Sequence, residues 1–178
     1  KSTQTLTIVL TPDTRKISET LVFAVYGTKH TVVLPCEAIC ARPSIDTDFK
    51  TVFYNKVKSL PPGTPARGQW IVSESTFDFG PLLAGRRRDS SAAQPAEKGS
   101  TNVASIRLTN NGLFDTSLSL SFSEEGSSVF SVEPTSLSLP VGQAKDVAVS
   151  AFPMQAGTFV EDLSIVLKDN PAPVLFKM

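Results

Sequence analysis

The chain has 178 residues, and its seventeen basic and seventeen acidic side chains give a formal net charge of zero. This balance creates no overall field that would draw the chain to nucleic acid or to an anionic membrane. A hydrophobic content of 40% is enough for a packed core and excludes a disordered tail. No run approaches the roughly 18 apolar residues that a membrane-spanning helix requires.

Residues 1–43 contain three short segments in which apolar and polar residues alternate, as in half-buried strands. The segments are 6–10, 21–25 and 32–36. The same spacing of apolar residues and proline returns about 141 positions later. A repeat that begins inside one unit and ends inside the next is typical of a piece of a tandem array. We therefore interpret residues 1–43 as the C-terminal strands of one sandwich, which should not fold without their opposite sheet.

His30, Cys36 and Cys40 form the one nominal metal or Cys-His set in the sequence. At about 3.3 Å per residue in a strand, the two cysteines lie roughly 13 Å apart, beyond the ~7 Å Cα limit for a disulfide. His30 lies farther still from both, so the three cannot share one ion. The sequence predicts free thiols, no metal, no cofactor and no catalytic site. The five asparagines include no N-x-S/T acceptor, which favours a reducing, unglycosylated compartment.

Residues 44–69 break the alternating pattern and are interpreted as a linker. Ile45, Phe49, Val52, Phe53 and Val57 have spacings that fit one face of a helix, but 49–54 fits a strand as well. Both alternatives stay open. The pair Asp46 and Asp48 is expected to cap a helix rather than to bind calcium.

Residues 70–178 return to short alternating segments separated by turn signals, which predicts an antiparallel β-sandwich. The segment 117–123, in which serines alternate with leucines and a phenylalanine, is the clearest example. The expected core residues are Phe79, Ile106, Leu108, Leu118, Leu120, Phe122, Phe130, Val147, Val149, Leu163, Ile165 and Leu167. Phe130, just before Pro134, is expected to anchor a switch of the chain between sheets, and Gly80 and Gly112 to supply turn conformations. Residues 86–100 lack an apolar period and are predicted to be a flexible loop.

This loop begins with Arg86, Arg87 and Arg88, the densest charge in the chain. One reading is a solvated loop that keeps the domain soluble. The functional reading is a contact for an acidic polypeptide such as a tubulin tail, because guanidinium groups form multidentate bonds with carboxylates. Ser90 follows in a basic context and is a candidate phosphosite, since a phosphate would offset the positive charge.

The second unit carries an ordered series of motifs. They are Phe-Asp-Phe-Gly at 77–80, Thr-Asn-Asn-Gly at 109–112, Phe-Ser-Val-Glu-Pro at 130–134, Pro-Val-Gly at 140–142, Phe-Pro at 152–153, Gly-Thr-Phe at 157–159 and Asn-Pro-Ala-Pro-Val at 170–174. This order resembles the ASH (ASPM, SPD-2, Hydin) domain family, an immunoglobulin-like sandwich akin to the major sperm protein and PapD folds. The last motif is most similar to axonemal members of the Hydin type.

The resemblance implies a non-catalytic scaffold of the motile-cilium axoneme, at the central-pair apparatus. Its implied partners are other axonemal proteins, neighbouring ASH repeats and tubulin, bound through strand edges and loops. Two alternatives are a targeting adaptor of the centrosome or basal body and, from another class, a PapD-like chaperone with a groove for a client strand.

Overall fold

The computed structural model describes residues 3–9, 16–85, 102–122 and 129–178. The chain forms two compact units, Lys1–Arg42 and Pro43–Met178. Within the described residues, no helix has the length and apolarity needed to cross a membrane. The regular elements are β1 (Lys16–Ala24), β2 (Thr31–Ile39), α1 (Phe49–Val52), β3 (Lys56–Val57), β4 (Gln69–Ile71), β5 (Thr76–Asp78), β6 (Val103–Thr109), β7 (Thr116–Phe122), β8 (Phe130–Glu133), β9 (Ser136–Leu139), β10 (Ala144–Ala151), β11 (Asp162–Leu167) and β12 (Val174–Lys177).

The first unit is an antiparallel hairpin of β1 and β2. No side chain is buried among residues 3–9 and 16–42. The strand predicted at 6–10 is absent over the described residues 3–9, where Leu6, Ile8 and Val9 are exposed. Alternation alone does not form a strand, because the backbone groups of a strand need hydrogen-bonding partners.

The described residues of the second unit form two sheets. One has three strands in the order β6-β10-β8, and the other has seven in the order β3-β4-β5-β12-β11-β7-β9. The predicted all-β, immunoglobulin-like sandwich is confirmed. The chain changes sheets between β8 and β9, on either side of Pro134, as the sequence predicted. Eleven of the twelve expected core residues are buried, and Phe122 is partly buried against them.

The segment 44–69 is not a separate linker in the structure. Ile45, Val52 and Phe53 are buried in the core of the second unit, and β3 is an edge strand of the larger sheet. The helix α1 has four residues. The aromatic ring of Phe53 stacks on Trp70 with centroids 4.3 Å apart, which explains the burial. Of the two alternatives left open for 49–54, the helix holds for Phe49–Val52, whereas Phe53 lies just past it and forms a β-bridge with Ile106.

The two turn glycines have different roles. Gly80 has a φ of +80°, and a Cβ there would lie 2.0 Å from the carbonyl oxygen of Ala66. The φ of Gly112 is not positive. A Cβ at this position would instead come within 2.9 Å of the Ser44 hydroxyl and 3.1 Å of the Ser44 backbone. Both glycines therefore lie in turns, as predicted, but only Gly80 needs the left-handed conformation, whereas Gly112 allows Ser44 to approach closely.

Gly80→Ala is expected to lower the free energy of unfolding by roughly 2–4 kcal/mol, because the left-handed conformation costs about 1–2 kcal/mol and the clash is with backbone. Gly142→Ala is the matched control. Gly142 has a φ of +72° but nothing within 4 Å of an added Cβ. Urea denaturation of both variants separates the two costs. Equal losses would show that the contact with Ala66 is not as close as described.

Candidate interaction surfaces

His30, Cys36 and Cys40 do not form a site in the structure. His30 lies in the turn of the first hairpin, Cys36 lies in β2 and Cys40 follows it, and both thiols are free. Among the described residues, no three His, Cys, Asp or Glu side chains come together in a way that could hold a metal ion. These residues therefore carry no functional proposal.

Asp48 caps the helix, as predicted, whereas Asp46 bonds to the residue at the cap. Asp48 is the N-cap of α1, and its Oδ1 accepts a hydrogen bond from the backbone N–H of Lys50 at 2.9 Å. Asp46 Oδ1 in turn accepts from the N–H of Asp48 at 3.0 Å. Each carboxylate satisfies a backbone donor, which explains the two acidic residues without a metal.

Arg86, Arg87, Arg88 and Ser90 lie outside the described residues. The predicted contact for an acidic polypeptide and the predicted phosphosite therefore stay predictions. The described chain reaches Gly85, whose N–H donates to the carbonyl of Pro153 at 2.9 Å. The arginines thus follow directly from a point that is fixed on the second unit.

An aromatic and charged cluster that no sequence pattern indicated lies on the outer face of the smaller sheet. The Tyr54 hydroxyl donates to Asp146 Oδ1 at 2.7 Å, and Arg107 Nε donates to the same oxygen at 3.1 Å. The Arg107 guanidinium also lies over the Tyr54 ring, 5.2 Å from its centroid. Register could have identified the Arg107–Asp146 pair, since these residues are cross-strand partners. Nothing in the local sequence places Tyr54 beside them.

The cluster shifts its own titrations. The hydrogen bond from Tyr54, supplemented by Arg107, lowers the pKa of Asp146 below its ordinary value of 3.8. The hydrogen bond to Asp146 raises the pKa of Tyr54 above 10.0. The stabilisation from this cluster is therefore fully present between pH 3.8 and pH 10.0, the ordinary pKa values of the two groups. It is lost as pH falls through the lowered pKa of Asp146, and again as pH rises through the raised pKa of Tyr54.

Tyr54→Phe is expected to lower the free energy of unfolding near neutral pH by at most about 1 kcal/mol, because the bond is exposed to solvent. The difference from the parent chain should vanish in acid, once Asp146 is protonated in the folded state. Tyr26→Phe is the control, since Tyr26 is fully exposed. Urea denaturation across the acid range checks this, and a difference that persists in acid would contradict it.

The edge strand β9 is poorly suited to adding a partner strand. It is four residues long, Pro134 and Pro140 flank it closely, and the Lys145 ammonium donates to the carbonyl of Ser138 at 2.8 Å. Short edges, prolines and lysines are the devices by which proteins block strand addition. The expectation that open edges bind partners therefore does not extend to β9.

A groove of about 700 Å³ opens between the two sheets near the end of β12. One wall is the end of β5 with the segment that follows it, up to Ala84, and the other is the segment Gln155–Val160. Phe130 and Ala151 of the smaller sheet also line the groove, as does Met178. The groove also exposes apolar side chains, since Leu83 is 75% exposed and Val160 is 54% exposed. The motifs at 77–80 and 157–159 supply both walls, but the sequence did not reveal that they face each other.

Comparison with known proteins gives one domain family and two long relatives. Residues 93–174 match the family model of Cep192 domain 3. The chain is 27% identical over 169 residues to the hydrocephalus-inducing protein of Mus musculus, which covers 93% of this chain. It is 27% identical over 163 residues to the hydrocephalus-inducing protein homolog of Homo sapiens, which covers 90% of the chain. The chain spans 3% of the length of each of these two proteins.

Solved structures with partial likeness are SSP-19, an MSP-domain protein like family member in Caenorhabditis elegans, and the CupB2 chaperone of Pseudomonas aeruginosa. SSP-19 has a TM-score of 0.35 and 13% identity, over 43% of this chain and 80% of that one. CupB2 has a TM-score of 0.33 and 15% identity, over 43% of this chain and 45% of that one.

The ordered motifs, the two-sheet architecture and the match at 93–174 agree with one another. The alignment with the mouse relative extends over 93% of the chain. The chain carries an immunoglobulin-like domain of the ASH and Cep192 type and is homologous to the hydrocephalus-inducing protein.

Proposed function

We propose that this chain is part of a non-catalytic structural scaffold of the motile-cilium axoneme, at the central-pair apparatus. It lies in the cytoskeleton of the cilium and positions other axonemal proteins and neighbouring ASH repeats. The single observation that carries this proposal is the homology with the hydrocephalus-inducing protein over 93% of the chain. Such coverage includes residues from both units, as expected for a piece of a tandem array.

The internal pairing of strands supports a repeated unit. In the first hairpin Leu21 lies opposite Leu34, and in the second unit Leu163 lies opposite Phe176. Both members of the second pair follow the first by 142 positions. The two hairpins therefore share one register, which agrees with the repeat of about 141 positions that the sequence predicted.

The location is tested by tagging the parent protein in cells with motile cilia and locating the tag by immuno-electron microscopy. We expect label along the central pair. Label confined to the basal body or centrosome would contradict the axonemal proposal and favour the targeting adaptor. A wild-type parent without the tag controls for antibody background.

Tubulin is a further partner that we propose, through Arg86, Arg87 and Arg88. Three guanidinium groups in sequence complement the acidic tubulin tail. Changing all three to alanine is expected to weaken co-sedimentation with microtubules, more strongly at low salt. The matched control changes Lys58, Arg67 and Lys168 to alanine, which removes the same charge elsewhere on the second unit. Equal weakening in both variants would contradict a specific contact.

Phosphorylation of Ser90 would add about −1.5 to −2 charges beside the arginines. We therefore expect Ser90→Asp to weaken microtubule binding and Ser90→Ala to leave it unchanged, measured in the same co-sedimentation assay. Equal binding by both variants would contradict a regulatory role.

The PapD-like chaperone is the candidate from another class, and the groove beside Met178 is the observation that favours it. A chaperone of this type would accept a strand from a client protein in the groove. A strand from a client protein would favour the chaperone, whereas a strand from the same chain would favour the scaffold.

A further inference from the structure

The groove lies where β12 would continue. The N–H of Met178 donates to the carbonyl of Glu161 at 2.8 Å, and the N–H of Glu161 donates to the carbonyl of Met178 at 3.2 Å. This reciprocal pair is one step of an antiparallel ladder, in line with the pairing of β11 and β12. β5 runs parallel to β12 on the other side and pairs with it only at Thr76 and Lys177. A residue added after Met178 would therefore enter the groove between Val160 and the end of β5.

The first hairpin shows this ladder in a longer form. The pair Glu19 and Cys36 corresponds to Glu161 and Met178 after the shift of 142 positions. In the first hairpin three further pairs follow, namely Ser18 with Glu37, Ile17 with Ala38 and Lys16 with Ile39. On the β11 side, their counterparts in the second unit are Val160, Phe159 and Thr158. These three residues line the groove and are not in a strand.

The first hairpin carries three pairs beyond the one that corresponds to Glu161 and Met178, and Met178 is the last residue of the sequence. β2 has nine residues and β12 has four. The residues 158–160 have strand-forming counterparts in Lys16–Ala24 but lack regular structure themselves, and among the described residues no strand pairs with them. The longer ladder of β1 and β2 therefore indicates that a strand paired with 158–160 fits the groove.

The alternation of side chains defines the chemistry of this strand. Phe176 and Met178 are buried, whereas Leu175 and Lys177 are exposed. The second residue after Met178 would therefore point inward, as Phe176 and Met178 do. The corresponding residue in the first hairpin is Ala38, which is partly buried and apolar. A small or medium apolar side chain at this position fits the groove.

We propose that the groove is the slot for a strand that prolongs β12, formed by the residues that follow Met178 in the parent protein. The groove is then completed by the chain itself and not by a client. This inference rests on the proposed function in one respect, namely that the chain belongs to a longer array. It makes the second unit a closed repeat whose stability depends on residues beyond Met178.

The test extends the 178-residue chain by a segment taken from its own first hairpin. One variant carries Glu-Ala-Ile, the sequence of Glu37, Ala38 and Ile39, after Met178. The matched control carries Glu-Pro-Ile, because proline removes the N–H that would bond to the carbonyl of Phe159. A further variant carries the residues that follow Met178 in the parent protein.

The Glu-Ala-Ile variant and the natural extension are expected to raise the thermal midpoint above that of the parent chain. They should slow amide exchange at Phe159 by roughly tenfold or more, because a paired amide opens only with the strand. The proline control should show neither effect. Equal midpoints and equal exchange in all variants would overturn the proposal.

Monomer state distinguishes the source of the strand. Sedimentation should show that the extended chain is monomeric, with protection independent of concentration. Protection that appears only in a dimer would overturn the proposal, since the strand would then enter another molecule. Binding of the free natural segment in trans with no effect of its fusion would also overturn it and favour the chaperone. Neither outcome depends on the location in the cilium, so this test can fail while the axonemal proposal holds.

Discussion

Leu163→Ala is expected to lower the free energy of unfolding of the second unit by about 3–5 kcal/mol. Leu163 is completely buried, lies in the central strand β11 and has cross-strand partners on both sides, Phe122 and Phe176. Truncation of such a side chain loses its transfer free energy and leaves a cavity that rigid neighbouring strands cannot close. This loss is a large fraction of the total stability of a small domain. Urea denaturation followed by tryptophan fluorescence measures it, because Trp70 is the single tryptophan and belongs to the same core.

Val166→Ala is the matched control. Val166 lies in the same strand but is 45% exposed, so its truncation removes little buried area. We expect a loss below about 1 kcal/mol, from strand preference and partial burial. Equal losses for the two variants would show that the faces of β11 are not assigned correctly.

The sandwich core could be predicted because the rule behind it is local. In a strand, successive side chains point to opposite faces, so the alternation of serine and leucine in β7 identifies the inner face without knowledge of the partner. Leu118 and Leu120 are buried, and Ser117 and Ser119 are exposed. The same rule assigned most of β10 and β11.

Alternation could not predict which strands find a partner. Leu6 and Ile8 alternate with polar residues as well as the residues of β1 do, yet 3–9 is not a strand. Thr158 and Val160 are not in a strand either, although their counterparts in β1, Lys16 and Ser18, are paired with β2. A strand depends on the backbone edge beside it, and that edge comes from residues distant in sequence.

The groove could not be located from the sequence for a related reason. Its walls come from segments about 80 positions apart, around Phe79 and Phe159. Each motif alone is compatible with an ordinary turn. The pairing register of the first hairpin indicates that the groove fits a strand, and only the structure shows this register.

The segment 44–69 was assigned as a linker because it is rich in proline near its end and breaks the alternating pattern. Composition identifies breaks in regular structure, but it does not show whether an irregular segment is buried. Three contacts join residues 43–46 to the rest of the second unit. Asp46 N–H donates to the carbonyl of Thr109 at 2.8 Å, and Asn170 Nδ2 donates to the carbonyl of Pro43 at 2.9 Å. The third is the close approach of Ser44 to Gly112.

Phe53→Ala decides between a linker and a core segment. The Phe53 ring is 1% exposed, stacks on Trp70 and Phe77 and meets Phe176 edge to face at 5.4 Å. Losing a buried phenylalanine costs about 3–5 kcal/mol, and the lost aromatic pairs add to the loss of buried area. A linker residue would change the free energy of unfolding by no more than about 0.5 kcal/mol.

Phe114→Ala is the control for this prediction, because Phe114 is a 43% exposed phenylalanine of the same unit. We expect a loss of about 1 kcal/mol or less. Urea denaturation followed by far-ultraviolet circular dichroism suits Phe53→Ala, since the substitution also removes the ring that stacks on the tryptophan. If Phe53→Ala lowers the free energy of unfolding as little as Phe114→Ala does, segment 44–69 is a linker and not part of the core. A loss of several kcal/mol would show that Phe53 belongs to the core of the second unit, so that an excised second unit must include it to reach full stability.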